Sequence, residues 1–323
     1  MKDYSIVIRT LGTGGKKYQN FLDSITKQTL QPKHIYVVLP NGYELPHECI
    51  GMEEFLYTQK GMWNQRIYGL NYAANKGDEL LLVCDDDISF ESTFAMEFIN
   101  LFESNKTDIL IPHIGPCFNQ ATPLKEKMLL RFLGQRRESS KSHFYVSIDC
   151  TAGHTLNKTI EENVFPTQSG QFACFMISPH CVQANHFEDE RWLDMTYYAL
   201  PDDQIFFYKA YLSGAKIMYA KTPHINHLDH GSSSMDRKKN IAYSSARNYL
   251  IFWHRFLWNP NNGIITVKFV LGILYRNLAY FLFYFFYSCY TKQNLIGRYL
   301  RGGWNGLKFI NSTKYKKLPK IRK

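Results

Sequence analysis

After Asp236 the 323-residue sequence contains no aspartate and no glutamate. Residues 237–323 carry 17 lysines and arginines against no acidic side chain, whereas residues 1–236 carry 21 basic and 28 acidic ones. The net charge of +10 therefore joins an acidic part to a strongly basic one, and the two face different partners. A basic block of this kind attracts nucleic acid or an anionic membrane surface, and composition alone does not choose. Also missing is any Cys-x-x-Cys pair. Cys49, Cys84, Cys117, Cys150, Cys174, Cys181 and Cys289 are scattered, which argues against a zinc cluster or a disulfide framework and leaves reduced, mostly buried thiols as the expectation. The opening "MKDYSIVIRT" lacks the charged, apolar and small-residue succession of a secretory signal, so the N-terminal part is expected in the cytoplasm. Finally, no charge-free apolar run reaches the about 20 residues of a spanning helix. Residues 278–290 are too few, and extension back to Phe269 encloses Arg276. An in-plane amphipathic helix or a helical hairpin is expected there, with a spanning or re-entrant segment and a soluble aromatic core helix as the alternatives.

What is present reads as a folded α/β chain. Hydrophobic residues make up 45% of the sequence, enough for one large or two modest domains. "YSIVIRT", a helix over about 16–30, "HIYVVLP", a helix over about 62–75 and "ELLLVC" alternate in the manner of a parallel sheet with crossover helices. A helix over 92–104 and the strand "DILIPHI" continue the pattern. Asp85, Asp86 and Asp87 follow the third predicted strand, at the carboxyl edge where open α/β sheets bind ligands. Three adjacent like charges repel one another, and a divalent cation or its phosphate complex would offset that cost; a solvated acidic turn is the alternative. Between 115 and 166 periodicity is weak, and "GQRRESSKS" reads as an exposed loop. Order returns with the strand "GQFACFMISP". A helix then starts at Pro201, Asp202 and Asp203 and ends by Gly214, the short strand "AKIMYA" follows, and a long helix covers 238–258.

Taken in order, "SIVIRT" with "SITKQTLQPKHIYVV", "KGMWNQRIYGLNYA", "CDDDISF", "DDQIFFYKAYLSGAKI", "HINH" and "ARNYLIFWHRF" resemble glycosyltransferase family 2 over residues 4–255. That resemblance implies a GT-A fold, a Rossmann-like, mostly parallel sheet flanked by helices, in a catalytic domain over 1–236. Its donor-binding part would be 1–114 and its acceptor side 115–236, with 237–323 a basic, aromatic-rich, membrane-associating helical region. It implies Mn2+ or Mg2+ on Asp87, with His227 beside the metal and His224 and His230 as neighbouring choices. Asp85 would bind the donor ribose or sugar region, and Asp86 is the middle residue of the motif. Asp203 aligns with the catalytic base, Asp202 is its fallback, and helix capping is the structural role open to both. Thr10 and Arg66 would contact the donor. "VVLPNG" lacks the aspartate many members use for uracil, which leaves Asn41 as the nearby polar candidate.

The expected activity is metal-dependent inverting transfer from a nucleotide-sugar donor to a glycan or lipid-linked acceptor. The expected setting is bacterial surface polysaccharide synthesis at the inner face of the membrane, with an anionic membrane surface as partner and no nucleic acid. Two readings compete. In a haloacid-dehalogenase-type phosphatase Asp85 would be the nucleophile, but that loop follows the first strand and Ser89 does not match it. In a non-catalytic basic protein residues 237–323 would bind membrane or nucleic acid.

Overall fold

The computed structural model describes residues 2–115, 123–228, 235–258 and 263–321. In chain order its elements are β1 (Tyr4–Arg9), α1 (Lys16–Thr26), β2 (Ile35–Pro40), β3 (Glu53–Thr58), α2 (Met62–Lys76), β4 (Leu80–Asp85), β5 (Ile88–Phe90), α3 (Phe94–Ser104), β6 (Ile109–Gly115), α4 (Leu124–Phe132), β7 (Arg136–Glu138), β8 (Val146–Ile148) and β9 (His154–Leu156). They continue with β10 (Val164–Pro166), β11 (Cys174–Ile177), α5 (Pro179–Asn185), a 3-10 helix (Phe187–Met195), α6 (Asp202–Leu212), β12 (Ile217–His227), α7 (Met235–Phe252), a π-helical turn (Trp253–Leu257), α8 (Gly263–Thr291), α9 (Leu295–Ile310) and α10 (Thr313–Lys316). Two compact units form. Unit 1 draws on residues 1–120, 161–191 and 213–232, and unit 2 on 121–160, 192–212 and 233–323.

Unit 1 is a mixed sheet of nine strands in the order β10-β12-β6-β11-β4-β1-β2-β3, with β5 added to β12. β3, β2, β1 and β4 run parallel, as do β6 and β12, and β11 lies antiparallel between β4 and β6. Six strands thus point one way, and their carboxyl ends form one edge. Alternation divides the core. Ile6, Ile8, Val37, Leu39, Leu82 and Leu110 pack with Phe21 and Ile25 of α1 and Phe94 and Phe98 of α3. The intervening Val7 and Val38 meet Gly69 of α2, where a Cβ would come within 2.6 Å of Val7 and 2.7 Å of Val38, so only glycine lets the helix sit this close. Each fully buried Phe or Leu contributes about 2 kcal/mol by removal of apolar surface from water.

β3 corrects the sequence reading, which has no strand at "EEFLYT". It is a parallel edge strand in which only Leu56 is fully buried, so two glutamates interrupt any apolar run. The acidic triplet consequently follows the fourth strand. "AKIMYA" is the first half of an 11-residue strand that runs on, past a register shift between Ala220 and His224, through "HINH".

Unit 2 contains the short sheet β7-β9-β8 and the helices α4, α6 and α7 to α10. β7 lies inside the stretch read as loop; its three residues are too few to show alternation. The long helix expected over 238–258 is α7 from Met235 to Phe252, after which the backbone widens into the π-helical turn. Arg247 and Asn248 of "ARNYL" are buried and fasten the segment ahead of α6: Arg247 Nη1 donates to Trp192 O (3.2 Å) and to Asn248 Oδ1 (2.6 Å), and Asn248 Nδ2 to Thr196 Oγ1 (3.1 Å).

α8 is one 29-residue helix, paired with α9 as a helical hairpin around Ala279, Tyr280, Tyr284, Leu295 and Tyr299. Arg276 interrupts its apolar character but is turned inward. The guanidinium is buried, donates to Gly134 O and Thr151 O (both 3.2 Å), and lies 3.8 Å from the Tyr249 ring centre. By length and composition Thr266–Thr291 could cross a membrane, with a mean hydropathy of 1.5 in its most apolar stretch.

Candidate active site

The triplet's mutual repulsion is offset differently at each carboxylate. The β1–β4 register sets Arg9 directly beside Asp85, and Arg9 Nε donates to Asp85 Oδ1 at 3.1 Å. Arg66 of α2 reaches the same oxygen through Nη2 at 2.9 Å. Burial works against the Asp85 charge, but the two guanidiniums prevail and hold its carboxyl below the usual range. Arg66 is itself buried, its guanidinium 3.9 Å from the centre of the Phe172 ring. It fixes Asp85 and is not the solvated helix-surface cation common at such positions.

Asp86 accepts a hydrogen bond of 2.5 Å from the Thr10 hydroxyl, which in turn accepts from Gly12 N (3.1 Å). Burial pushes the Asp86 carboxyl up and the charges of Asp85 and Asp87 add to this, against the Thr10 hydrogen bond. Asp87 is left at the tip. The chain reverses after it into β5, which pairs antiparallel with β12 so that Ile88 lies opposite His227. His227 Nε2 is thereby 3.2 Å from Asp87 Oδ1, and Leu228 N donates to Asp87 O at 2.7 Å. Both side chains keep about a quarter of their surface open, 26% for His227 and 22% for Asp87. The His224 side chain and all of His230 lie outside the described residues.

Beside the triplet, at the carboxyl ends of β1 and β2, a cleft of about 560 Å3 is lined by Leu11, Gly12, Tyr43, Glu44, His47 and Glu48, among others. Gly12 sits at φ +76°, and a Cβ there would lie 2.5 Å from Glu44 O. Gln65 of α2, buried, ties the ends of β1 and β2 together, its amide donating to Thr10 O and Val38 O at 3.0 Å each. Asn41 is not part of this lining; it stands exposed in the turn after β2, where Tyr43 N donates to Pro40 O. Sequence reasoning missed Arg9, Tyr43, His47 and Gln65. Arg9 had a signal, since a cation ending the first strand can pair with a carboxylate ending its neighbour.

Asp202 and Asp203 belong to unit 2, at the first turn of α6. Asp202 is buried and Asp203 half-buried, with Asp203 Oδ1 accepting from Gln204 N at 2.7 Å. Gln204 Nε2 lies 2.8 Å from His154 Nε2, which makes that imidazole nitrogen the acceptor. The Asp203 charge also reaches Tyr249, whose hydroxyl is pushed up by burial first and by Tyr280 and Asp203 in addition.

No protein-family model and no curated protein matches the chain. Solved structures do resemble it in shape. S. aureus TarS superposes at a TM-score of 0.45 with 12% identity over 85% of this chain, which spans 43% of the TarS chain. Residues 1–349 of TarS in complex with UDP-GlcNAc give 0.49 and 13% over 86%, spanning 73% of that chain. GalNAc-T7 with UDP, GalNAc and Mn2+ gives 0.49 and 13% over 91%, spanning 59%. Scores and identities this low carry no weight for function, which rests on the residues themselves.

Those residues suit a divalent cation in a limited way. Among the described residues no group of three or more His, Cys, Asp and Glu is set to hold an ion. Asp85 Oδ1 is taken by two arginines and Asp86 Oδ2 by Thr10, which leaves the Asp87 carboxylate and the His227 imidazole as the paired donors. A carboxylate with an imidazole fits an ion that takes its remaining ligands from a diphosphate and water, as Mg2+ and Mn2+ do in phosphate chemistry.

Proposed function

We propose that the chain is a metal-dependent, inverting glycosyltransferase of family 2 with a GT-A fold, moving a sugar from a nucleotide-sugar donor to a glycan or lipid-linked acceptor in bacterial surface polysaccharide synthesis. The observation that carries this reading is the partition of the triplet. One carboxylate is neutralised by Arg9 and Arg66, one is bonded to Thr10, and one stays beside His227 at the carboxyl edge of the sheet. An acidic turn held only by solvent would need none of these partners.

In this reading Asp87 and His227 hold Mn2+ or Mg2+. The ion supplies charge neutralisation at the departing diphosphate. Asp85, fixed through Oδ1, presents its second oxygen to a donor hydroxyl. Thr10 and Asp86 form the wall next to the cleft, whose Tyr43 and His47 are better placed than Asn41 to meet a nucleobase. Asp203 takes the acceptor hydroxyl's proton as that oxygen attacks, with Asp202 as the alternative base. A phosphatase reading asks Asp85 to be a nucleophile, and an oxygen shared by two guanidiniums is poorly suited to attack.

Membrane attachment belongs to the same proposal. The block without acidic residues supplies about 1 kcal/mol per Lys or Arg near an anionic surface, and Leu271, Leu274, Leu278, Phe285 and Phe286 of α8 are exposed. The chain would lie at the inner face of the membrane and bind no nucleic acid. Incubation with a panel of nucleotide-sugars and Mn2+ tests the activity: slow release of one nucleoside diphosphate is expected, and release of inorganic phosphate from phosphomonoesters instead would favour the phosphatase.

A further inference from the structure

We propose that unit 2 holds a site for one phosphorylated lipid, with the phosphate in a basic cavity between α4 and β7 and the hydrocarbon chain along an adjoining groove on α8. The cavity has a volume of about 300 Å3, and its walls are Lys127, Leu130 and Arg131 of α4 and Arg136, Arg137 and Glu138 of β7. Four cations face one carboxylate. That carboxylate is already engaged: Glu138 receives Lys127 Nζ at 2.5 Å and Lys158 Nζ at 3.3 Å. Arg137 has only a loose contact, 3.7 Å from Asp149, and Arg131 is exposed with no side-chain partner among the described residues. Guanidinium charge in a concave wall is suited to phosphate oxygens, which accept its paired N–H donors.

Arg137 is also a wall of the second space, an open groove of about 440 Å3 shared with Cys150, Thr151, Val267, Leu271 and Tyr275. Val267 and Leu271 are 58% and 61% exposed, so the groove presents an outward apolar surface, with Lys268 and Arg137 as the cations in its wall. α4 also exposes Leu124 and Met128, at 72% and 64%, and Tyr275 ties α8 to α4 by donating to Phe132 O at 2.6 Å. Inorganic phosphate would satisfy the cavity and leave the groove wet. A neutral lipid would fill the groove and bring no counter-charge to Arg131 and Arg137. A single amphiphile with a phosphate head satisfies both, because one residue joins the two spaces. Membrane attachment is relied on only as the source of the lipid.

The test is calorimetry of the full chain with dihexanoyl phosphatidic acid below its micelle concentration, dihexanoyl phosphatidylcholine and inorganic phosphate as separate titrants. Phosphatidic acid should bind at least about tenfold tighter than either of the others, since each of those meets only half of the site. Arg131→Gln with Arg137→Gln should remove that advantage while phosphatidylcholine binding is unchanged. Leu271→Ser should weaken phosphatidic acid and leave inorganic phosphate as it was. Circular dichroism establishes that each variant is folded, and Arg131→Gln alone, at an exposed side chain with no hydrogen bond or ion pair among the described residues, gives a graded loss where the double variant unfolds. Equal affinity for the two lipids, phosphate binding as tightly as phosphatidic acid, or a folded double variant with parental affinity would each overturn the site. Vesicles of phosphatidylcholine with and without phosphatidic acid separate the two ideas: monomer binding without vesicle binding supports the site and refutes membrane attachment.

Discussion

Replacing Arg66 by methionine should destabilise unit 1 by about 3 kcal/mol. Removing one partner of a buried ion pair costs about 3–5 kcal/mol, because the remaining charge is left without compensation. Here Arg66 is only 1% exposed and Asp85 18%, and Arg9, at 25% exposure, remains beside the same oxygen, which sets the expectation at the low end. Methionine keeps much of the volume against Phe172, and its sulfur–aromatic contact, up to about 1.5 kcal/mol, offsets most of the cation–π contact it gives up, about 2 kcal/mol at a desolvated site. Native-state hydrogen exchange of the β1 and β4 amides is the suitable assay, since a chain of two units need not unfold in one transition. Asp85→Asn in the Arg66→Met background should restore part of the loss, giving a coupling of at least about 1.5 kcal/mol between the two sites. A loss below about 1 kcal/mol, or additive single effects, would refute the idea that Arg66 serves to hold Asp85.

Asp203→Asn keeps an acceptor for Gln204 N, so donor affinity should be unchanged while turnover falls by about 100-fold or more in single-turnover assays; a parental rate would pass the base role to Asp202. His154 is held down to about 4 by burial, with Arg276 and Arg136 adding and Asp149 opposing, from an ordinary 6.5. The unfolded chain then binds the extra proton between these values, so unit 2 should lose about 2 kcal/mol as pH falls from about 6.5 to about 4, after allowance for partial exposure. Urea titrations across that range should show the decline, and His154→Gln should flatten it. Phe285→Ser with Phe286→Ser should weaken sedimentation with anionic vesicles by about tenfold or more, in a way that added salt does not mimic; unchanged sedimentation would place the membrane contact elsewhere.

The sheet-helix alternation of the first hundred residues was legible because α1, α2 and α3 and their neighbouring strands each bury a full face or stripe. β3 escaped because an edge strand needs only one buried side chain. The triplet's place at a strand's carboxyl end was legible too. Its electrostatics were not, because the Arg9–Asp85 contact depends on β1–β4 register across 76 positions and the Asp87–His227 contact on β5 folding back onto β12. The burial of Arg276 was equally hidden: its acceptors are the backbone carbonyls of Gly134 and Thr151, more than 120 residues away in the stretch with no periodicity. Asn41 was legible by position alone. It is a polar residue after the right strand, it stands exposed in the turn, and Tyr43 of the same turn lines the cleft.

The most direct test of the account is calorimetric titration of UDP, GDP and CDP into the folded protein with and without Mn2+, repeated for Asp87→Asn and His227→Gln. For at least one nucleotide Mn2+ should tighten binding by about tenfold or more, through neutralisation of the diphosphate held beside Asp87. That gain should vanish in Asp87→Asn and shrink in His227→Gln. Nucleotide binding that ignores Mn2+, or a metal-dependent gain that survives intact in folded Asp87→Asn, would contradict it.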